Sequence, residues 1–309
     1  MKALIVGGSG FVGPHLADYL RRKLSVDVLL TSSQVNNKKY EFLDVLNLDS
    51  IRDFLCRTSP ELIFYLAAQS SVKIAWEKPL TTAEVNVFGI LNFLEVYREL
   101  GLKSKILVVG SGEEYGDYNG NEKHTLEEGD VLNPGNVYAV TKACQNMISS
   151  VYAKAYSVPI VMTRTFNHFG PGQSSNFVVS DFCRQIAKIE KGLQEPVIYV
   201  GNLKAKRDFS DVRDIVDAYC RLILFGKFGE TYNVGTGVGI EIKYILEELL
   251  KKSKVDIKVE VDVLKYRPID VEEIVPNVNK LMLCTGWRPS FSLDQSLSDM
   301  LNYWRDAIK

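Results

Sequence analysis

A glycine-rich loop close to the start of the chain constrains the fold more than any other feature. Residues 3–6 form a short apolar run, and Gly7, Gly10 and Gly13 follow it at intervals of three residues. Glycines at this spacing allow a tight turn and let a phosphate group approach the backbone, while the next helix offers unpaired N–H groups at its positive end. Pro14 is compatible with this reading because proline is tolerated in the first turn of a helix. The loop therefore predicts a strand–turn–helix unit that binds a dinucleotide.

Strand-like and helix-like patterns alternate through the first half of the chain. Short apolar runs rich in β-branched residues predict buried strands at 3–6, 26–30, 62–66, 106–109 and 160–163. Between them, helices are predicted at 13–23, 48–58, 82–100 and 139–156. This alternation is typical of a parallel sheet covered by helices on both faces. Together with the glycine loop, it predicts an α/β fold with a Rossmann-type, doubly wound parallel sheet.

The pattern changes after about residue 165, where glycine and proline punctuate the chain and helices follow without regular parallel strands. We expect residues 1–165 to form a dinucleotide-binding domain. Residues 166–309 are expected to form mainly a smaller C-terminal α/β region that binds the substrate, with segments near 210–236 returning to the first domain. A crevice between the two regions is the natural place for a ligand.

Composition and charge exclude several other classes of protein. The formal net charge of −1 over 309 residues gives no indication of a nucleic-acid partner or an anionic membrane surface. The five cysteines are scattered without a Cys-x-x-Cys pair or a Cys/His cluster, so we expect neither disulfides nor a metal site. No apolar stretch approaches the ~20 residues needed to span a bilayer. The sequence therefore predicts a cytoplasmic protein that does not associate with membranes.

The end of the second predicted strand bears on the choice of cofactor. It reads Leu30-Thr31-Ser32-Ser33, with no acidic residue to bind the 2′-hydroxyl of an adenosine ribose. This absence favours a 2′-phosphate, and hence NADP(H), with Ser32 as a candidate contact. No arginine follows to bind such a phosphate, and the nearby Lys38 and Lys39 are equally typical of a solvated loop. NAD(H) therefore stays open beside NADP(H).

Two further stretches contain residues suited to proton transfer. Tyr138 and Lys142 lie four residues apart in a predicted helix, which places both side chains on one face. A neighbouring ammonium stabilises a phenolate, so such a pair can exchange a proton with a carbonyl or carbinol oxygen near neutral pH. The stretch GSGEEYG places Ser111, Glu113 and Glu114 directly after the fourth predicted strand. For Glu113 two roles are consistent with this position: a base that removes a proton from a substrate, or a residue that takes no part in the chemistry.

Taken together, the glycine loop, Ser111 and Tyr138-x-x-x-Lys142 resemble the extended short-chain dehydrogenase/reductases. Further matching stretches are Leu66-Ala67-Ala68, Asn86-Val87 and Tyr232-Asn233-Val234-Gly235. The similarity runs from Met1 to about Trp304. Within the family, the chain is most similar to the branch that acts on GDP-linked 6-deoxyhexoses, on the strength of residues 111–116, 163–173, 200–216 and 267–273.

The resemblance implies a role for each matching residue. Ser111 would bind the C4 oxygen of the sugar, Tyr138 would exchange a proton with it, and Lys142 would hold the nicotinamide ribose and lower the pKa of Tyr138. The implied cofactor contacts are Gly7, Gly10, Phe11, Val12 and Gly13 at the pyrophosphate, Asp44 and Val45 at the adenine, and Leu66, Ala67 and Ala68 after the third strand. The implied substrate contacts are Asn167, Asn202, Arg207, Arg267 and Asp270.

Two activities occur in this branch, and Glu113 is common to both. Dehydratases oxidise C4, eliminate water across C5–C6 and need a carboxylate base, whereas reductases deliver hydride to a C4 ketone. Gly10-Phe11-Val12-Gly13, the lack of an insertion after the second strand and the missing basic residues in 177–182 favour the reductase. Gly112 departs from the second hydroxyl residue common in both groups.

The resemblance therefore implies NAD(P)H-dependent reduction of GDP-4-keto-6-deoxy-D-mannose to GDP-6-deoxy-D-mannose (GDP-D-rhamnose), rather than to the talose epimer, by a homodimer. The alternatives are a GDP-mannose 4,6-dehydratase and another nucleotide-sugar epimerase or dehydratase. A non-catalytic dinucleotide sensor is disfavoured because Ser111, Tyr138 and Lys142 are all present.

Overall fold

A computed structural model describes residues 1–34, 39–117, 125–266 and 271–308 of the chain. The strands in these ranges are β1 (Lys2–Val6), β2 (Asp27–Ser32), β3 (Glu41–Phe42), β4 (Leu62–Tyr65), β5 (Lys105–Ser111), β6 (Ile160–Thr165), β7 (Asn167–Phe169), β8 (Val197–Val200), β9 (Lys206–Asp211), β10 (Thr231–Val234), β11 (Gly239–Glu241), β12 (Lys258–Val261) and β13 (Glu273–Ile274). Lys38, Arg267 and Asp270, which the sequence analysis singled out, lie outside the described residues.

The helices in the same ranges are α1 (Val12–Leu24), α2 (Leu48–Thr58), α3 (Val72–Glu77), α4 (Pro79–Ala83), α5 (Gly89–Glu99), α6 (Val137–Ala155), α7 (Val178–Glu190), α8 (Val212–Phe225), α9 (Ile242–Lys251), α10 (Asn279–Thr285) and α11 (Leu293–Ala307). Short 3₁₀ turns cover Gly112–Tyr115 and Val263–Lys265. Of the helices in the described ranges, none is both long and apolar enough to cross a lipid bilayer.

A seven-stranded parallel sheet in the order β10-β6-β5-β4-β1-β2-β3 forms the centre of the fold. Helices α1 and α8 cover one face, where Leu16 and Tyr219 are fully buried. Helices α2, α5 and α6 cover the other, with Ile51 and Phe93 equally buried. Burial on both faces explains why the central strands are almost continuously apolar. The predicted doubly wound α/β fold is confirmed.

One predicted helix was wrong as a single element. Residues 82–100 do not form one α-helix, because α4 runs into a π-helical turn over Glu84–Phe88 before α5 begins. The wider turn carries the fully buried Asn86, whose amide donates to Gln69 O at 3.1 Å and to Thr141 Oγ1 at 2.9 Å. Such bulges are frequent at functional sites. Here the turn ties the loop after β4 to α6.

The C-terminal region contains more regular strand pairing than the sequence predicted. β10 pairs in parallel with β6, so it belongs to the large sheet. β9 pairs with β7, β11 and β13, and β8 pairs in parallel with β12. The expectation of helices without parallel strands was therefore wrong, because these strands are only two to six residues long and give little periodic signal. The boundary at residue 165 stays a prediction.

Candidate active site

The glycine loop forms a tight turn between β1 and α1. Gly7 has φ +76°, a conformation that favours glycine, and its carbonyl accepts a hydrogen bond from Gly10 N at 3.1 Å. A Cβ on Gly13 would lie 2.2 Å from Gly8 O, so that glycine is required by the packing of the loop on its helix. A Cβ on Gly10 would meet only Gly7 O, at 3.4 Å. Packing within the protein therefore does not require a glycine at position 10. The missing side chain instead leaves the backbone of Gly10 accessible to a ligand.

Phe11 connects the glycine loop to the segment after β7. Its ring stacks on His168 with centroids 6.0 Å apart and meets His15 edge-on at 5.5 Å. His15 Nε2 lies 2.8 Å from Pro171 O, and His168 Nδ1 lies 3.0 Å from Phe166 O. Burial lowers the pKa of His168. The dinucleotide loop and the predicted substrate loop are thus in direct contact.

The other predicted cofactor residues lie around this loop and at the ends of the neighbouring strands. Ser32 is buried at the end of β2, where its hydroxyl accepts from Ser9 Oγ at 3.0 Å and from Gln34 N at 3.1 Å. Asp44 accepts from Leu46 N at 2.9 Å in the turn before α2. Val45 is buried before α2, and Leu66, Ala67 and Ala68 are half-buried directly after β4. Val12 begins α1.

The two glutamates after β5 have different environments. Glu114 is fully buried and accepts from Ser111 N at 2.8 Å, from Asn146 Nδ2 at 2.8 Å and from Arg164 Nε at 3.0 Å. Burial raises the pKa of Glu114, and the Arg164 guanidinium and the N–H donors oppose that rise. Glu113 is half-buried, and its Oε2 accepts from Asn136 Nδ2 at 3.4 Å. Glu114 therefore has a structural role, and Glu113 is the carboxylate next to the candidate catalytic groups.

Ser111 and Tyr138 meet at the carboxyl end of β5. Ser111 is buried at the end of β5, and its side chain lies next to the phenol of Tyr138, which is in the first turn of α6. Burial raises the pKa of Tyr138, the hydrogen bond to Ser111 lowers it, and the charges of Glu113 and Glu114 raise it further. The phenol is therefore protonated at neutral pH. The structure brings together the serine and tyrosine that the sequence singled out.

Lys142 lies one turn after Tyr138 and is buried. Its Nζ donates to Val109 O at 2.6 Å and to Gln145 Oε1 at 3.0 Å. Burial lowers the pKa of Lys142 to about 8, and the charge of Glu114 opposes this shift. Because burial outweighs the other influences on Tyr138, its net pKa is raised, and the expectation that Lys142 lowers this pKa stays a prediction.

Two residues that order the site were missed in the sequence. Asn136 is the N-cap of α6, where its side chain accepts from Ala139 N at 2.9 Å and also donates to Glu113. Gln69 exchanges hydrogen bonds with Asn86, whose amide also binds Thr141. An asparagine directly before an apolar helical segment is a recognisable start signal and could have identified the first of them.

Gly112, the departure noted in the sequence, has a packing explanation. A Cβ on this residue would lie 2.9 Å from the ring of Phe166. That ring belongs to a small buried cluster with Tyr115, Leu126 and Ile274. The aromatic side chain therefore occupies the space in which a second hydroxyl would start.

The predicted substrate residues that the structure describes lie in the C-terminal region and the segment before it. Asn167 begins β7, which pairs with β9, the strand that carries Arg207. Arg207 is buried, and its Nη1 donates to Lys206 O at 2.8 Å. Asn202 lies before β9 and accepts from Lys204 N at 3.0 Å. The small sheet thus places Asn167 and Arg207 on paired strands, and Asn202 lies in the loop before β9.

A family model described as GDP-mannose 4,6 dehydratase matches residues 4–300. The GDP-6-deoxy-D-mannose reductase of Pseudomonas aeruginosa is 31% identical over 308 residues, which cover 100% of this chain and 98% of the relative. The GDP-6-deoxy-D-talose 4-dehydrogenase of Aggregatibacter actinomycetemcomitans is 30% identical over 287 residues, covering 93% and 92% of the two chains.

Among solved structures, the fold is similar to that of RMD from Pseudomonas aeruginosa complexed with NADPH. The TM-score is 0.90 at 31% sequence identity, and the match covers 99% of each chain. The similarity therefore extends through the C-terminal region as well as the large sheet.

Proposed function

Because this chain belongs to the GDP-mannose 4,6 dehydratase family of nucleotide-sugar enzymes, we propose that it reduces the C4 ketone of GDP-4-keto-6-deoxy-D-mannose to GDP-6-deoxy-D-mannose with a nicotinamide dinucleotide. The observation that carries the proposal is the buried pair of Ser111 at the end of β5 and Tyr138 in the first turn of α6, with Lys142 one helical turn further along. These are the groups that a carbonyl reduction requires: a proton donor, a partner for the carbonyl oxygen and a cation.

The glycine loop fits a dinucleotide. A Cβ on Gly10 would meet only Gly7 O, at 3.4 Å, and α1 begins two residues later with its N–H groups at the positive end of the helix dipole. Gly7, Gly10, Phe11, Val12 and Gly13 would hold the pyrophosphate. When bound, the reduced cofactor supplies the hydride that reduces C4. Ser32, rather than an acidic residue, ends β2, which favours NADP(H), and RMD was solved with NADPH.

The side chains of the site would then complete the reduction with one proton. Tyr138 donates its phenolic proton to the oxygen of C4, and Ser111 holds that oxygen in place. The raised pKa of Tyr138 supports this direction, because a phenol that is protonated at neutral pH is a proton donor rather than a base. Lys142 would bind the nicotinamide ribose and stabilise the phenolate that remains after proton transfer.

A dehydratase is the second candidate, because Glu113 lies beside Tyr138 where elimination needs a base. Two observations favour reduction instead. This chain aligns over its whole length with the Pseudomonas aeruginosa reductase, and it lacks the insertion after the second strand. Glu113 also has no part in the proposed relay, in which Ser111 and Tyr138 suffice. We therefore assign Glu113 a position near C6 of the sugar and no part in a chemical step.

The function is tested by offering the purified protein two substrates separately, with NADPH or NADH. We expect GDP-mannose to stay unchanged and GDP-4-keto-6-deoxy-D-mannose to gain the mass of two hydrogens, as measured by mass spectrometry, with one reduced cofactor oxidised per product. Loss of one water from GDP-mannose without net oxidation of cofactor would show a dehydratase instead. Comparison of the product with authentic rhamnose and talose epimers defines the stereochemistry at C4.

The GDP moiety is assigned to the C-terminal region. Asn167, Asn202 and Arg207 would contact it, and Arg267 and Asp270, which lie outside the described residues, complete the proposed set. Arginine suits this role because its planar guanidinium forms paired hydrogen bonds with phosphate oxygens. The proposed domain boundary at residue 165 rests on the same assignment. The residues before it would bind mainly the cofactor, and those after it mainly the nucleotide sugar.

The quaternary structure proposed is a homodimer, supported by an apolar stripe along α6. Val140, Met147 and Val151 lie at helical spacing and are 44%, 57% and 57% exposed. Leu80 on α4 and Phe88 in the π-helical turn, both on elements that pack against α6, are also exposed. An exposed apolar surface of this kind marks a protein interface, and a second copy would bury it. A cytoplasmic location is also proposed, supported by five free cysteines.

A further inference from the structure

The side chain of Gln145 completes a closed ring of hydrogen bonds around Lys142. Lys142 Nζ donates to Val109 O at 2.6 Å and to Gln145 Oε1 at 3.0 Å. Gln145 Nε2 donates to the same carbonyl of Val109 at 2.9 Å. Gln145 is 0% exposed and Lys142 is 3% exposed, so the ring is shielded from bulk solvent. A single amide thus fixes the ammonium against the end of β5.

We propose that Gln145 is a positioning residue that orients the ammonium of Lys142 and sets the pH range in which the site is active. The inference rests on the proposed function, in which Lys142 binds the nicotinamide ribose beside Tyr138. Nothing in the motif Tyr-x-x-x-Lys specifies Gln145, which lies three residues after the lysine on the same helix.

The geometry determines how many protons of Lys142 are available. An ammonium has three N–H donors, and two of them are directed at Val109 O and Gln145 Oε1. The third is left for a ligand, with its direction fixed by the other two. Because Gln145 also donates to Val109 O, its amide cannot rotate without losing both contacts. An apolar side chain at position 145 would leave the ammonium free to swing about Val109 O.

The charge of the acceptor matters as much as its position. The amide oxygen of Gln145 stabilises the ammonium without a negative charge of its own, so burial still lowers the pKa of Lys142 to about 8. The titratable and charged groups that face Lys142 and Tyr138 from the neighbouring elements are Glu113, Glu114 and Tyr219. Of these, Glu114 raises the pKa of Lys142 and is itself paired with Arg164. A carboxylate at position 145 would add a second negative charge in direct contact.

Two substitutions move the titration in opposite directions. Gln145→Glu places a carboxylate at the ammonium and should raise the pKa of Lys142 by about one unit or more, since an opposite charge within ~4–6 Å shifts a pKa by roughly 1–3 units. Gln145→Met keeps the length of the side chain but removes the hydrogen-bond acceptor, so the pKa of Lys142 should fall. Ser149→Ala is the matched control, because Ser149 is buried one turn further along and donates to the backbone carbonyl of Gln145 at 2.8 Å without contacting Lys142.

The experiment measures the Lys142 titration directly and the activity separately. Protein labelled with ¹³C at the lysine Cε positions is titrated by NMR, and the Lys142 signal is identified by its loss in Lys142→Arg. The pH dependence of kcat with GDP-4-keto-6-deoxy-D-mannose is recorded for the same variants. Because the ammonium is lost as pH rises through the pKa of Lys142, kcat should fall on the alkaline side, and this fall should move with the titration.

The midpoint of the Lys142 titration should lie at lower pH in Gln145→Met than in the native protein and at higher pH in Gln145→Glu. In Ser149→Ala it should be unchanged. If the midpoints follow that order but no protein reduces the ketone, the inference about Gln145 holds and the proposed reductase function fails. Equal midpoints in the native protein and Gln145→Met would overturn the inference, whether or not the activity changes. The Met variant decides alone if Gln145→Glu does not fold.

Discussion

Replacement of Tyr138 by phenylalanine should lower kcat for ketone reduction by about 10²–10⁴-fold, the range typical for loss of a positioned proton donor. The substitution removes the phenolic hydroxyl that meets Ser111 and leaves the ring in its buried site in the first turn of α6. Binding of NADPH should be retained, because the glycine loop is not altered. Steady-state kinetics and titration of cofactor fluorescence measure the two quantities on the same sample.

Glu113→Gln is the matched control for this experiment. It changes a half-buried carboxylate beside the same tyrosine and keeps a side chain of almost the same shape. On the proposed mechanism, this variant should retain most of its activity, since no step uses Glu113 as a base. Inactivation as complete as that of Tyr138→Phe would argue for elimination chemistry, and loss of NADPH binding in Tyr138→Phe would remove the catalytic interpretation of Tyr138.

Arg164→Met should cost about 3–5 kcal/mol of folding free energy at neutral pH, because it leaves a buried carboxylate without its cation. Arg164 Nε contacts fully buried Glu114 at 3.0 Å, and its Nη1 donates to Tyr115 OH and Glu128 O, each at 3.0 Å. Glu114 in turn accepts from Ser111 N at 2.8 Å. The variant should therefore also displace Ser111 and lower activity. Urea unfolding followed by circular dichroism measures the loss of stability.

Glu114 determines how the loss of stability in Arg164→Met should change with pH. Burial raises the folded-state pKa of Glu114, and removal of Arg164 raises it further. A carboxyl whose folded pKa is raised contributes most to stability below its unfolded pKa of ~4.3 and loses that contribution as pH rises through the folded pKa. The gap in urea midpoint between variant and native protein should thus widen from pH 5 to pH 8. The double variant Arg164→Met with Glu114→Gln should recover part of the loss. A gap that is constant with pH, or a double variant no more stable than the single, would refute this account of the pair.

The fold was predictable because its signals are local and strong. The continuous apolar runs of β1, β4, β5 and β6 and the loop at Gly7 predicted a doubly wound parallel sheet, which the structure confirms. The short pairings of β7, β11 and β13 were missed, because strands of two or three residues have no period to detect. The π turn around Asn86 was missed for a different reason, since its extra residue is explained by tertiary contacts with Gln69 and Thr141.

The candidate site was predictable in its identities but not in its electrostatics. Ser111, Tyr138 and Lys142 were named from spacing and resemblance, and the structure places Ser111 and Tyr138 side by side, buried at the end of β5 and in the first turn of α6. The different environments of Glu113 and Glu114 could not be read from a Glu-Glu pair, because burial depends on Arg164, fifty residues further along the chain. The raised pKa of Tyr138 likewise follows from burial, which the sequence does not specify. The roles of the cofactor and substrate residues stay predictions.

The most direct test of the central claim, that this site adds hydride and a proton across a C4 carbonyl, uses NADPH carrying deuterium at both hydrogens of nicotinamide C4. Incubated with GDP-4-keto-6-deoxy-D-mannose, the native protein should form a 6-deoxyhexose with one deuterium bound to sugar C4, seen by NMR, for each NADPH oxidised. Product without deuterium at C4, or no oxidation of NADPH in the presence of the ketone, would contradict the proposed reaction.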